Sequence, residues 1–421
     1  MARPLGFFDA YCIGVNAIVG TSIFLFPGLL MGLLGPVSPL AFILTAAMLL
    51  PVALCYAAAA SKFDRAGGPY LYVREAFGEL PGFAVGWMCW VTELFSWAAV
   101  ATGLAAYLGH FGPGWTAPLA TKAIAVSVIF VMGWLNYRGV RLGAWTSDIL
   151  TVAKLIPLTA FVVVGAFYVD PAAFAQPGPL GWEGLGKACF LAFFAFSGFE
   201  VVPVPAGETS EPQRRIPKAL VSSLLTAAVL YTLVQAVAVG TFPLLAGSQR
   251  PLAEAAAGFL GPLGAGLMVV GAAVSNIGFN AGCALGGPRY LVALAEDGHL
   301  PGWLAVRHPR FDAPHRSVAL TAGLTAGLVM ILDFGKLMDF AIVAICAQYV
   351  GTCLAAPKLA PEAGAWRRWL IPGLGVAGSL VIGTQAGRTD FMWAGVFVGL
   401  GFLLRHVCGK GRTASRPVSP A

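Results

Sequence analysis

The stretch from Ile13 to Gly28 reads IGVNAIVGTSIFLFPG, and its interpretation decides the fold. It lies inside an apolar run from about Phe7 to Leu34, long enough to cross a bilayer. In its middle stand Gly20, Thr21 and Ser22, followed by Pro27 and Gly28. Glycine lacks a Cβ and tolerates non-helical backbone, and small hydroxyl residues leave room beside it. Hydrocarbon penalises free N–H and C=O groups, so an interrupted helix persists there only if it lines a polar cavity or grips a ligand. Val19 to Ile23 therefore reads as an unwound hinge at mid-membrane, with N–H groups exposed on one side and carbonyls on the other. The competing reading is a continuous glycine-bearing helix packed closely on a neighbour.

Working outward, the whole chain is apolar. Its 421 residues are 58% hydrophobic and only 11% charged, against roughly a quarter charged in a soluble domain. Twelve runs of spanning length follow one another, near 7–34, 37–61, 81–109, 119–137, 146–168, 184–207, 219–242, 257–295, 317–333, 337–356, 368–386 and 390–407. The eighth exceeds one straight span, and its end is expected to continue as a cytoplasmic helix. Six residues precede the first run, so no cleavable signal peptide is expected. The tail after Cys408, GKGRTASRPVSPA, has the basic, Pro- and Ser-containing composition of a disordered segment.

The basic residues set the orientation. With the N-terminus inside, twenty Lys and Arg fall on cytoplasmic segments and five (Lys122, Lys187, Arg250, Lys336 and Arg388) on outer ones. Both termini are then cytoplasmic. The net charge of +7 is explained by this bias, without nucleic acid as a partner. The eight cysteines (12, 55, 89, 189, 283, 346, 353 and 408) sit almost wholly within apolar runs and lack CxxC spacing. They read as inert helix residues.

A second interruption follows five runs after the first. Residues 190–207 read FLAFFAFSGFEVVPVPAG, with Ser197 and Gly198 at mid-depth and Pro203 and Pro205 beyond. Two broken helices at corresponding places in two halves point to an inverted-repeat transporter. The halves are residues 1–168 and 184–356, with residues 366–407 forming two further helices and 408–421 a cytoplasmic tail. Five spans per half give the halves opposite orientations, so their hinges can meet at the bilayer midplane.

Specific motifs now add to this pattern. Gly20-Thr21-Ser22-Ile23-Phe24 with Pro27-Gly28 resembles the G-S-G-I-F…P-G signature of the amino acid–polyamine–organocation superfamily. Arg65-Ala66-Gly67-Gly68-Pro69-Tyr70 with Ala76-Phe77-Gly78 is similar to its first cytoplasmic loop. Phe194 to Glu200, then Glu208 and Glu211-Pro212-Gln213-Arg214-Arg215-Ile216-Pro217, resemble its sixth helix and following loop. Asn280-Ala281, Arg289 and Ala295-Glu296-Asp297-Gly298-His299-Leu300-Pro301 resemble the end of its eighth. The motifs cover about three quarters of the chain in the family's order. The resemblance implies an all-α polytopic membrane protein with the leucine-transporter fold: twelve transmembrane helices, a 5+5 inverted repeat and two C-terminal helices. It also implies a permease of the cytoplasmic membrane that carries amino acids or related amines by alternating access.

The residues expected to do this work follow. An α-carboxylate suits uncapped N–H groups at a helix start, and the resemblance assigns these to Thr21, Ser22 and Ile23 beside Gly20. Ser22 stands where many relatives have glycine and narrows that space. The α-ammonium needs carbonyls, which the resemblance places at Ile18, Phe194, Ala195 and Ser197, next to Gly198. Phe194 holds the position of the family's aromatic lid, or is an ordinary core phenylalanine. The resemblance also places Trp97 beside the substrate side chain, which favours a small or medium neutral substrate.

Three ionisable residues stand out within spans. A cation at Lys154 costs roughly 2.5–3.5 kcal/mol on insertion scales. In proton-coupled relatives a lysine here replaces bound sodium, and it could reach the carbonyls of Asn16 to Val19; the alternative is snorkelling to the interface near Asp148. Glu93 lies one turn from Trp97 and Cys89, so it shares their stripe. It could pair with a cationic substrate, accept a transported proton, or hydrogen-bond within the bundle. Glu200 ends the second break, either gating or capping the helical half beyond it. Glu208, Arg214 and Arg65 read as gate or loop ion pairs.

The leading reading is proton-coupled symport or exchange of neutral amino acids, with a cationic amino acid or polyamine permease or antiporter as the alternative. No HExxH, Asp-rich pair or Cys/His cluster supports an enzyme, and no catalytic residue, metal or cofactor is expected. Substrate, protons and lipid are the expected partners; the oligomeric state is left open.

Overall fold

The computed structural model describes residues 5–409 except 66, 139–140, 176–177, 179–180 and 363, and for 141–147, 366 and 409 the backbone alone. Most of the polar tail, Ala66 of the loop motif and the side chain of Arg141 lie outside the described residues. The described chain is helical, with one isolated bridge between Leu5 and Thr209.

Each of the twelve apolar runs coincides with a rod. The first is split into α1 (Phe7–Ile18) and α2 (Ser22–Leu34), bent by 43° across the break. Next come α3 (Pro39–Ala60), a short helix α4 (Pro69–Phe77), and α5 (Glu79–Leu108). They are followed by α6 (Pro118–Tyr137), α7 (Arg141–Gly165), α8 (Trp182–Phe196), α9 (Pro212–Thr241) and α10 (Pro251–Glu296). The last four are α11 (His315–Ile331), α12 (Phe334–Leu359), α13 (Ala365–Gly383) and α14 (Arg388–Gly409). Among the described residues, nine helices are long and apolar enough to cross a membrane, or ten with the bent pair counted as one span. The chain is therefore an integral membrane protein built from helices. The exact count of twelve rests on the sequence runs, since α11 (17 residues) and α13 (19 residues) fall outside that set.

Burial separates the rods into two groups. The α5 span is 94% buried and α8 72% buried, whereas only 6% of α14 and 17% of α6 is covered. An apolar helix with little cover within the protein faces lipid, which supplies no competing hydrogen bonds. The enclosed centre is formed by α1, α2, α5, α8 and α12 together with the buried face of α10, whose apolar window is only 28% buried.

Two local features differ from the sequence expectation. The long eighth run does break, but near its start: Gly261 adopts φ 63°, ψ −155°, ahead of Pro262. The remaining rod to Glu296 is roughly 50 Å long at 1.5 Å per residue, so it also outruns the hydrocarbon core. After the second break no α-helix resumes. Residues Phe199–Val201 and Ala206–Glu208 form single 3-10 turns instead. Pro203 and Pro205 explain this, because each removes an N–H and disfavours helix in the residue before it.

Candidate substrate site

Where the first helix breaks, Val19 has φ −78° and ψ 84°, and the Gly20 amide donates to the Ile18 carbonyl at 2.8 Å. That is the geometry of an inverse γ-turn. It frees the last carbonyls of α1 and the first amides of α2 together. Ser22 opens α2 with no side-chain cap, so its amide and that of Ile23 are unspent donors by position. The Thr21 hydroxyl oxygen accepts from Asn276 Nδ2 at 2.9 Å, which leaves its own proton available.

The second break is made by Ser197, extended at φ −63° and ψ 149°, and Gly198 at φ 124°, ψ −24°. The two breaks touch backbone to backbone. A Cβ on Gly198 would collide with the Ala17 carbonyl and stand 2.9 Å from the Ile18 amide. Only glycine fits both the dihedral and the space. The Gly198 amide donates to Glu200 Oε2 at 2.7 Å, and the Tyr349 hydroxyl donates to the same oxygen at 2.8 Å. Glu200 thus caps the break itself rather than a helix beyond it.

Side chains from three other helices hold the freed carbonyls. Lys154 on α7, fully buried, donates to the Asn16 carbonyl at 3.1 Å and the Val19 carbonyl at 2.7 Å. Its ammonium lies in the hinge and does not snorkel. Ser275 on α10 reaches the Val19 and Gly20 carbonyls at 2.8 and 3.0 Å. Tyr231 on α9 places its hydroxyl 2.9 Å from the Ile18 carbonyl and 3.2 Å from that of Ala195. The Phe194 carbonyl accepts from Ser197 Oγ at 2.7 Å. Of the four carbonyls expected to receive a substrate ammonium, that of Ile18 therefore already accepts from the Gly20 amide and Tyr231, that of Phe194 from the amide and hydroxyl of Ser197, and that of Ala195 from Tyr231. Phe194 is buried and packs on Phe26, with ring centroids 6.4 Å apart.

The stripe on α5 bearing Glu93 and Trp97 faces α10. Glu93 lies against Gly286 and Gly287, and the Cys283 thiol is within reach of its carboxylate. A narrow cavity of about 20 Å³ borders the hinge, lined by Asn16, Ala17, Val201, Gly282, Gly286 and Arg289 among others. That admits about one water molecule. Arg289 seals the far end, 2.8 Å from Glu208. The N-terminal segment is strapped to the same loop: the Leu5 amide donates to the Glu208 carbonyl and the Ser210 amide to the Leu5 carbonyl, both at 2.9 Å.

On the same face lies an ion-pair network. Arg74 binds Asp297 at 2.7 Å and Glu79 at 2.8 Å, and the Tyr70 hydroxyl donates to Asp297 at 2.6 Å. His299 Nε2 lies 2.9 Å from Glu79, and its Nδ1 accepts from Arg405 Nε at 3.1 Å. Burial holds the His299 pKa below its ordinary value, opposed by the Glu79 carboxylate and reinforced by Arg405.

Sequence reasoning did not single out Tyr231, Ser275, Asn276 or Tyr349. Ser275, Asn276 and Asn280 carried a signal, being polar residues deep in an apolar rod. Tyr231 carried none.

Comparison with known proteins identifies the family. A family model described as amino acid permease matches residues 5–382. The branched-chain amino acid permease BcaP of Bacillus subtilis (strain 168) is 28% identical over 91% of this chain and 86% of its own length. An uncharacterized transporter of Mycobacterium tuberculosis (strain ATCC 25618 / H37Rv), Rv1999c, is 31% identical over the same shares. The methylthioribose transporter of Bacillus subtilis (strain 168) is 29% identical over 80% of this chain and 77% of its own length. The chain belongs to the amino acid permease family of the amino acid–polyamine–organocation superfamily, and it is a transporter rather than an enzyme.

Proposed function

We propose that this transporter moves neutral amino acids across the cytoplasmic membrane by alternating access, as a proton-coupled symporter or exchanger with the leucine-transporter fold. Both termini lie in the cytoplasm, and residues 1–168 and 184–356 form the two inverted halves. The observation that carries the reading is the contact between the two helix breaks, Gly198 against the Ala17–Ile18 backbone. It gathers the unspent amides that open α2 and the end carbonyls of α1 and α8 at one buried point. The substrate carboxylate is held by the amides of Thr21, Ser22 and Ile23, and its ammonium by the Ile18, Phe194, Ala195 and Ser197 carbonyls, where it replaces protein donors that the first three now have. Phe194 covers it from the α2 side, and Trp97 meets its side chain.

Lys154 links protonation to hinge posture. Its two hydrogen bonds tie α7 to the end of α1, and losing a proton would loosen them. Glu200 and Tyr349 steady the second break during the cycle. The name of the Bacillus subtilis branched-chain permease supports a neutral substrate. A second reading, a permease or antiporter for cationic amino acids or polyamines, is favoured by Glu93, a buried carboxylate with no cationic partner among the described residues.

Uptake of radiolabelled amino acids into proteoliposomes tests the proposal. Saturable, sodium-independent uptake that responds to an imposed pH gradient is expected. An obligatory sodium requirement would refute the role given to Lys154, and the absence of saturable uptake would refute transport of amino acids.

A further inference from the structure

The helices α5 and α10 meet along two antiparallel stripes. On α5 the stripe is Glu93, Trp97 and Val100, spaced by four and three residues; on α10 it is Gly287, Cys283, Asn280 and Asn276. Two crossings fix the register. Glu93 Cβ lies 3.2 Å from where a Cβ of Gly287 would stand, and Asn276 Nδ2 donates to the Val100 carbonyl at 2.5 Å. Trp97 and Asn280 therefore fall between these crossings.

Three polar atoms on these stripes have no hydrogen-bond partner among the described residues: Glu93 Oε2, Trp97 Nε1 and Asn280 Oδ1. Their residues are 5%, 0% and 0% exposed. A buried polar atom left unpaired costs about 1–3 kcal/mol, and buried polar groups are otherwise almost always paired. Three in one seam mark a site that a ligand completes. The other bonding capacity there is spent locally. Asn280 Nδ2 donates to the Asn276 carbonyl and side-chain oxygen at 2.7 and 2.9 Å, and the Cys283 thiol is within reach of Glu93.

The orphan set is two acceptors and one donor. We propose that these facing stripes form a substrate side-chain subsite for a primary carboxamide, with Glu93 and Asn280 accepting from its NH2 group and Trp97 donating to its oxygen. A carboxamide offers two N–H donors and one carbonyl acceptor, so it satisfies all three atoms. An ammonium or guanidinium carries no acceptor and leaves the Trp97 N–H unpaired. An aliphatic side chain leaves all three unpaired. The match is to a neutral substrate, which reconciles a carboxylate in the pocket with a neutral amino acid. This inference rests on the hinge binding the substrate's α-amino acid end, and it adds the identity of the other end.

The test is competition for uptake in proteoliposomes by glutamine, asparagine, leucine, valine, arginine and lysine. It is run on the wild-type chain and on Trp97→Phe and Glu93→Leu variants. Each mismatched hydrogen bond at a buried site is worth roughly tenfold, so glutamine or asparagine should compete at least tenfold more strongly than leucine or arginine. Both variants should reduce that preference roughly tenfold. Trp97→Phe keeps most of the ring volume and removes the N–H, which guards against misfolding as the cause. A wild-type order headed by leucine, valine, arginine or lysine overturns the carboxamide subsite while leaving the hinge reading intact. So does an unchanged order in both variants. Failure of every amino acid to show saturable uptake overturns the hinge reading and the subsite with it.

Discussion

Replacing Gly198 by alanine probes the contact on which the site is built. Two costs apply, and the structure separates them. The dihedral φ 124° lies in a region that L-residues avoid, at about 1–3 kcal/mol. The new Cβ would also overlap the Ala17 carbonyl and press on the Ile18 amide. These are backbone atoms that cannot rotate away, and such overpacking adds about 1–3 kcal/mol. The expected loss is therefore about 2–6 kcal/mol, with the hinge pushed apart and uptake abolished. Gly247→Ala supplies the control. Gly247 has φ 84° but nothing within 4 Å of its would-be Cβ, so it carries the dihedral cost alone. Thermal unfolding of both purified variants in detergent, paired with proteoliposome uptake, makes the comparison. Equal destabilisation of the two variants with unimpaired uptake by Gly198→Ala would refute the claim that the breaks meet there.

Lys154→Met should dissociate stability from coupling. It relieves a buried cation, roughly 2.5–3.5 kcal/mol, and strips the donor from the Asn16 carbonyl, about 1–3 kcal/mol, while the Val19 carbonyl keeps Ser275 as a donor. Thermal stability should thus change little while uptake loses its response to a pH gradient, measured with an imposed acid-outside step. Tyr231→Phe removes the hydroxyl shared by the Ile18 and Ala195 carbonyls; a loss of about 1–2 kcal/mol in thermal stability is expected. His299 sets a pH dependence. Its pKa is depressed in the folded chain, so the unfolded chain binds more protons and stability rises with pH. Its contribution is constant above about pH 6.5, the ordinary histidine value, and destabilisation accrues as pH falls from there through the folded pKa. Unfolding temperatures from pH 8 to 5 should drop less steeply for His299→Gln than for the wild type.

Much of this was legible in the sequence for one reason: hydrocarbon leaves few ways to satisfy a backbone. Gly20-Thr21-Ser22 inside an apolar run announced a break, and α1 does end at Ile18 with α2 beginning at Ser22. Ser197-Gly198 announced the other. A lysine in an apolar run needs acceptors, and the free carbonyls of the hinge supply them to Lys154. What stayed hidden depends on side chains meeting across helices far apart in the chain. Tyr231 is one of ten tyrosines, and nothing local marks it as the one that reaches the hinge. The loss of helix after Gly198 was within reach, since Pro203 and Pro205 stand two residues apart. The kink at Gly261 was masked by the length of its run. Helix α4 lay in a loop motif, yet Pro69 at its start and Gly78 at its end are ordinary boundary signals.

The central claim is that bare peptide groups at the two breaks hold both charged ends of an amino acid. Competition for uptake by a transported amino acid, its α-carboxamide and its N-acetyl derivative tests it most directly. The expected result is that only the free zwitterion competes, with each blocked form at least roughly tenfold weaker. Blocked forms that compete as well as the zwitterion would contradict it.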